Sequence, residues 1–369
     1  MTVLRIIVAL AALAGVAAVL ASVLRTVVLP RAVPARLARI TFLAVRNSLL
    51  LRLRLSGRSD YETRDRIFAL QAPLGLFAQL VIWSVLIFLA FAALFWALSP
   101  QGLTVSSIEQ ALELSGSSMV TLGIDHPQGL VRQLVAFAAA GVGLTLLALV
   151  ITYLPSLYGA FSRREALITK LVVRAGSPPS GLSLLTRSWQ LARFEQLEEV
   201  WDGWENWFIE VGESHTTFPQ LSFFRSPHPR NHWVLSAEAV LDGAALFMTA
   251  CDVPRQSRSE LCLAAGVSAL TGIAEFLGIP RRPPEPQAEA ETALPRELFD
   301  KARRELDGLG VPVREDANAA WSEFRRVRAA YEPLLAVLGR MTDAPRSDWS
   351  SWSDDLPRHS PPLIRIHGR

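Results

Sequence analysis

The chain reads as an all-α membrane protein, with three transmembrane helices, a re-entrant pore helix with its filter loop, and a cytoplasmic α-helical domain. Three observations predict this class. Half of the 369 residues are hydrophobic, only 19% are charged and the mean hydropathy is +0.28, whereas a soluble domain carries about 25% charged residues. The apolar residues are concentrated: Ile6 to Leu24, Gln71 to Leu98 and Gln133 to Ser162 hold no charge at all. Each run reaches the roughly 20 residues that cross a hydrocarbon core. Arginines are distributed asymmetrically about these runs, which orients them.

The first run lies within an N-terminal segment, residues 1–30, expected to form a transmembrane helix. A cleaved secretory signal is the competing reading, because Arg5 precedes the run and small residues occur at Ala21-Ser22-Val23. The run is longer than a signal core, and translocation would place the following arginines outside. Residues 31–70 form an arginine-rich cytoplasmic or interfacial segment. Arg25, Arg31, Arg36, Arg39, Arg46, Arg52, Arg54, Arg58, Arg64 and Arg66 fall between the first two apolar runs, and no Lys or Arg occurs from Ile67 to Val131. By the positive-inside rule the arginine-rich stretch is cytoplasmic, the second run goes outward and the third returns to meet Arg163, Arg164 and Lys170. Within that stretch, Ala35 to Leu55 mixes Leu37, Ile40, Leu43, Leu49 and Leu51 with arginines. The spacing suits either a helix lying in the anionic inner surface or an ordinary connector with an apolar face.

Residues 71–162 form the expected pore domain of helix, pore loop and helix. Ser106 and Glu109 match a capping-box pattern, and Ile108, Leu112 and Met119 or Leu114 can line one side of roughly three turns. Pro100 and Gly102 turn the chain before this helix, and Pro127 and Gly129 turn it afterwards. Gly116, Ser117 and Ser118 loosen the helix, and Thr121-Leu122-Gly123-Ile124-Asp125 sits at the end of the segment. A cation filter is a strip of backbone carbonyls that replaces an ion's water shell. Non-helical backbone survives at membrane depth only inside protein or beside water.

The stretch Ser117-Ser118-Met119-Val120-Thr121-Leu122-Gly123 resembles the Thr-Val-Gly-Tyr-Gly-Asp filter region of potassium channels and their bacterial two-helix relatives. The likeness covers about Leu74 to Tyr158; Thr121 and Gly123 match outright and Leu122 stands for valine. Ile124 replaces the usual aromatic residue, and Asp125 occupies the place of the second glycine. The resemblance implies a passive cation channel, a homotetramer with Thr121, Leu122, Gly123, Ile124 and Asp125 as its selectivity filter and Ser106, Glu109, Ser117 and Ser118 supporting it. It also implies potassium as the permeant monovalent cation, while the departures at Ile124 and Asp125 leave the selectivity open. A fourfold assembly would make Asp125 a ring of carboxylates at the pore mouth. Beside it, His126 has an ordinary pKa near neutrality and would make the mouth pH-sensitive; the plainer reading is a solvated side chain.

Gly141, Gly143 and Pro155 lie in the third apolar run and are candidate gating hinges. The glycines equally suit close packing against the second run, and Pro155 equally suits the point where the helix leaves the membrane. Residues 163–279 are expected to form a cytoplasmic helical domain. A tryptophan-rich helical region begins at Leu182 after the Pro/Gly break at Gly176 to Gly181, with Trp189, Phe194, Trp201, Trp204, Trp207 and Phe208 on one broad face. Trp233 to Ala250 and Leu261 to Leu277 approach membrane length, but Glu238, Asp242 and Glu275 interrupt them, so buried helices of a bundle are favoured over a membrane hairpin. Residues 280–294 are a linker by composition, 295–342 carry the C-terminal helices Leu298 to Leu309 and Asn318 to Met341, and 343–369 form a flexible Pro- and Ser-rich tail.

His215, His228 and His232 with Asp242 match no standard zinc spacing, so structural roles are expected. Arg225 and Arg230 are expected in a solvated loop, with an anion site as the sharper alternative. Cys251 and Cys262 are expected to be reduced thiols. No nucleophile and base pair, metal triad or phosphate loop has credible context, so the protein is expected to be no enzyme and to need no cofactor beyond its permeant ion. The expected partners are the lipid bilayer of the cell (plasma) membrane and further copies of the chain. No basic reader motif points to nucleic acid, and a cytoplasmic ligand is not specified. The competing function is a non-conducting membrane-anchored sensor or scaffold acting through the helical domain.

Overall fold

A computed structural model describes residues 2–28, 36–57, 60–99, 104–125, 127–254, 256–279, 292–347 and 349. Pro100, Gly102, His126, the 280–291 part of the linker and the tail from 350 onward lie outside the described residues. Among the described residues the regular structure is helical, with no strand and one isolated antiparallel bridge between Cys251 and Val313. Among the described residues, five helical stretches are long and apolar enough to cross a membrane: Thr2–Val27, Tyr61–Ala97, Leu130–Ala175, Trp233–Ala250 and Ser257–Phe276. The chain therefore has the make-up of a membrane protein. It divides into two compact units, one of 1–57 with 70–158 and one of 58–69 with 159–369.

The first unit contains α1 (Thr2–Val23), continued by a π-helical turn at Leu24–Val28, then α2 (Arg36–Ser56), and, after α3 (Tyr61–Phe68) of the second unit, α4 (Gln71–Ala97), α5 (Val105–Met119) and the start of α6 (Leu130–Ala175). Its core follows from spacing on α4. Trp83, Ile87, Phe91 and Phe95 recur every fourth residue, hence on one helical face, and meet Ala12 and Val19 of α1, Ala111 and Leu114 of α5, and Ala139 and Leu146 of α6. The indole of Trp83 donates to Ser22 Oγ at 3.2 Å, giving a buried N–H its partner. α2 packs on α4 where Gly75 leaves room for Phe42; a methyl added at Gly75 would lie 2.9 Å from that ring.

The second unit contains α3 (Tyr61–Phe68), the remainder of α6, α7 (Gly181–Gln190), α8 (Leu197–Thr217), α9 (Trp233–Ala250), α10 (Ser257–Phe276), α11 (Arg296–Gly308), α12 (Ala317–Arg328) and α13 (Glu332–Thr342). α9 is its axis. Its apolar window is 94% buried within the protein, against 11% for that of α6, so α9 is solvated by protein whereas α6 leaves most of its apolar surface uncovered. Trp201, Trp204, Trp207 and Phe208 of α8 and Phe299, Phe324 and Leu335 of the later helices belong to the same cluster.

The charges that interrupt α9 are paired. Arg328, fully buried, donates to Asp242 Oδ1 at 3.0 Å and to Glu332 Oε1 at 2.6 Å, and its guanidinium lies 3.6 Å from Glu238. Tyr331 Oη donates to Asp242 Oδ1 at 2.7 Å. The surrounding carboxylates hold Arg328 in its charged form against the cost of burial.

Several boundaries differ from those the sequence predicts. The tryptophan-rich region is two helices, α7 and α8, because the chain turns at Leu191–Gln196, where Ala192 takes a left-handed backbone. The single helix expected from Asn318 to Met341 is also two, since Pro333 sits at the start of α13 and cannot continue a helical hydrogen-bond ladder. Arg225 is buried instead of solvated, drawn in by carboxylate and carbonyl partners from distant parts of the chain. Cys251 and Cys262 are both free and buried.

Candidate functional site

The candidate site is the end of α5, the turn after it and the face of α6 beside it. α5 begins at a capping box, but not the one expected at Ser106 and Glu109. Thr104 Oγ1 accepts from Ser107 N at 3.2 Å, and Ser107 Oγ accepts from Thr104 N at 3.2 Å. Ser106 Oγ shares a hydrogen bond with the Thr104 hydroxyl at 3.1 Å but takes no part in the box, and Glu109 is exposed. Serine wins at the third helical position because it faces inward: Ser107, Ala111, Leu114 and Ser115 form the buried stripe of the helix. Ser115 Oγ donates to the carbonyl of Phe88 at 2.7 Å and ties α5 to α4.

Ser117 organises the turn. Its carbonyl accepts from Leu122 N at 2.9 Å and its hydroxyl accepts from Ile124 N at 2.9 Å. Ser118 O accepts from Thr121 N at 3.1 Å, and Gly116 O from Val120 N at 3.1 Å. These bonds commit the amide hydrogens of Val120, Thr121, Leu122 and Ile124 to the end of α5. Among the described residues, nothing donates to the carbonyl oxygens of Val120 through Ile124. Thr121 and Gly123 both take left-handed backbone, with φ of 56° and 68°; the second position suits glycine, while the first carries about 1 kcal/mol or more of strain. Val120, Leu122 and Ile124 are exposed, at 65%, 63% and 75%, which is unusual for three branched apolar side chains in succession on one turn. Asp125 is half-buried at its end.

The two candidate hinge glycines prove unlike each other. A methyl placed on Gly143 would lie 2.0 Å from the carbonyl oxygen of Met119, the last residue of α5, whereas one on Gly141 meets nothing within 4 Å. Gly143 is therefore the point where α6 touches the end of α5, and Gly141 is open. α6 continues as one helix through both glycines and through Pro155. An exposed column of small and hydroxyl residues runs down it from Gly141 through Thr145, Ala148 and Thr152 to Ser156. The hydroxyls of Thr145 and Ser156 donate to the carbonyls of Gly141 and Thr152 at 2.7 and 3.0 Å, and that of Thr152 to Ala148 O at 3.1 Å. Sequence reasoning that stopped at glycine and proline missed this column, although its steps of three and four residues are visible in the chain.

In the second unit, one short stretch, Phe218 to Arg230, grips two distant pieces of chain. Arg164 of α6 is buried and donates to the carbonyls of Leu221 and Phe224, both at 2.8 Å, and pairs with Glu165 at 2.8 Å. His215 Nε2 lies 3.2 Å from Arg164 Nη1, so that nitrogen accepts; burial first, and then the neighbouring Arg164 charge, hold the ring well below its usual pKa. Arg225 donates to Asp65 Oδ1 of α3 at 2.8 Å and to the carbonyl of Asp343 at 2.9 Å, while Tyr61 Oη donates to the carbonyl of Pro229 at 3.1 Å. Burial pushes the Asp65 carboxyl upward, and Arg225 opposes that shift. These partners explain why Arg225 leaves solvent. Arg230 stays exposed, 3.9 Å from Glu62.

The histidines are structural in geometry. His232 Nδ1 accepts from Val234 N at 3.2 Å and caps α9, His215 packs on Trp233 at 5.2 Å between ring centres, and His228 is exposed. No group of three metal-binding side chains occurs among the described residues. No protein-family model, characterised protein or solved structure matches this chain.

Proposed function

We propose that the chain is the subunit of a passive cation channel of potassium-channel-like, pore-loop type, acting as a homotetramer in the cell membrane and carrying out no catalysis. In this reading α1, α4 and α6 cross the bilayer, α5 re-enters it from outside, and the second unit is cytoplasmic. The observation that carries the reading is the turn Val120 to Ile124 and its setting. The amides of Val120, Thr121, Leu122 and Ile124 are bonded to Gly116, Ser118 and Ser117, the turn's carbonyl oxygens have no described donor, and its apolar side chains are exposed. Around a symmetry axis such carbonyls would serve as cation ligands, and the exposed side chains would be covered by neighbouring copies.

Two further features support it. The carboxyl end of α5, with the partial negative charge of a helix terminus, abuts α6 at Gly143. The open column Gly141, Thr145, Ala148, Thr152 and Ser156 gives α6 a face suited to a wet cavity instead of lipid. Potassium is the proposed permeant ion on the likeness of Thr121-Leu122-Gly123 alone, and Asp125 would concentrate cations at the mouth.

The alternative, a membrane-anchored sensor that does not conduct, draws on a groove of about 720 Å³ in the second unit, lined by Leu263, Val267, Thr271, Glu275, Val327 and Tyr331. Ion flux into liposomes holding the purified chain separates the two. The channel reading expects potassium flux well above that of empty vesicles, and its loss in Gly123→Ala, because any side chain at that φ is strained. Flux equal to empty vesicles from a folded wild-type oligomer would leave the sensor as the surviving reading.

A further inference from the structure

We infer that α2 is a docking surface for anionic phospholipid headgroups, seated against the membrane face by its packing on α4. The inference needs α4 to cross the bilayer and does not depend on ion conduction. Met1 to Ser59 contains no aspartate or glutamate, and α2 alone carries Arg36, Arg39, Arg46, Arg52 and Arg54. Acidic residues in the rest of the first unit are confined to Glu109, Glu113 and Asp125, on α5 and the turn after it. The exposed Arg36, Arg52 and Arg54 give α2 a positive outer surface that is complementary to an anionic one.

The depth of α2 is set by α4. Thr41 and Leu49 of α2 are buried, and the Phe42 ring fills the notch at Gly75, one turn inside the start of α4, where that apolar helix meets its charged approach. The remaining surface of α2 is mixed. Ile40, Leu51 and Leu55 are 64%, 56% and 79% exposed, interspersed with the exposed Arg36, Arg52 and Arg54. Leucine and isoleucine alternating with arginine on one exposed surface matches an interface in which apolar side chains enter the acyl boundary and guanidinium groups reach phosphates. Arginine suits phosphodiesters because its planar fork donates two parallel hydrogen bonds to one phosphate. Water alone would leave the three apolar side chains exposed without return.

The test uses the full chain purified in a neutral detergent. Retained lipid is counted by native mass spectrometry after exposure to equal amounts of phosphatidylglycerol and phosphatidylcholine, and circular dichroism confirms that each variant stays helical. The wild type is expected to retain phosphatidylglycerol preferentially and to lose the preference in high salt. The triple variant Arg36→Gln, Arg52→Gln, Arg54→Gln is expected to reduce that retention roughly tenfold or more, since three cationic contacts to an anionic surface are lost together. The matching triple lysine variant should restore most of it. Equal retention of the two lipids by the wild type, or an undiminished preference in a folded glutamine variant, would overturn the inference. Release of the bound lipid by millimolar inorganic phosphate would also overturn it, by showing a site for free phosphate instead of a lipid surface. Each readout stands whether or not the protein conducts ions.

Discussion

Gly143 and Met119 meet so closely that the missing side chain of one makes room for the backbone of the other: a Cβ on Gly143 would fall 2.0 Å from the Met119 carbonyl oxygen. This contact fixes the end of α5 against α6 and thereby sets where the turn beyond Met119 begins.

Substitution at the two glycines of α6 should therefore diverge. Gly143→Ala is expected to destabilise the chain by about 1–3 kcal/mol, the usual range for overpacking, because the opposing atom is backbone and cannot rotate away. Gly141→Ala has open space and a helical backbone, so it should be neutral or stabilising by about 0.5–1 kcal/mol. Thermal unfolding of the two variants in the same detergent compares them directly; equal behaviour would contradict the packing assignment.

Ser117 is the keystone of the turn, since its side chain accepts the Ile124 amide. Ser117→Ala removes that acceptor and should cost about 1 kcal/mol while leaving helical content unchanged. If the turn conducts ions, flux should fall more steeply than stability. Ser106→Ala, which leaves the Thr104 and Ser107 cap intact, should change neither.

Arg328→Met strands Asp242, Glu238 and Glu332 in a buried site. Breaking a buried ionic cluster by deleting one partner costs about 3–5 kcal/mol, and chemical denaturation of the full chain should show a loss of that order. Adding Asp242→Asn to Arg328→Met should recover part of it, because one uncompensated charge is then removed. A double variant as unstable as the single one would argue against the electrostatic origin.

His215 and His232 are both held neutral by burial, with Arg164 and Arg225 as the neighbouring cations. Their folded pKa values lie below the unfolded value near 6.5, so the unfolded chain binds more protons at acidic pH. Stability from these two groups is complete above about pH 6.5 and falls as pH drops below it. A melting temperature that declines from pH 7.5 to 5.5 is expected, and the double variant His215→Gln, His232→Asn should flatten the decline even where it lowers the overall stability.

The apolar helices were legible because a charge-free run of membrane length is too apolar to leave in water and longer than most core helices need. The burial of α9 within protein was legible too, through Glu238 and Asp242: a helix carrying two acids must find a cation, and Arg328 supplies it. What pattern reading could not supply was partner identity. Nothing near Arg225 in sequence announces Asp65, 160 residues away, so a buried pair looked like a solvated loop. The α5 cap was misplaced because Ser106 and Glu109 fit the commoner motif, while burial favoured Thr104 and Ser107. Gly141 and Gly143 are chemically identical in sequence, and only the path of a neighbouring backbone distinguishes them.

The buried arginine also bears on biosynthesis. Asp242 emerges from the ribosome 86 residues before the guanidinium that neutralises it, so for several seconds at ordinary elongation rates, on the order of 5–20 residues per second, α9 is an apolar nascent segment with two uncompensated acids. With the second unit cytoplasmic, as proposed, those acids would make entry of α9 into the bilayer costly throughout the wait.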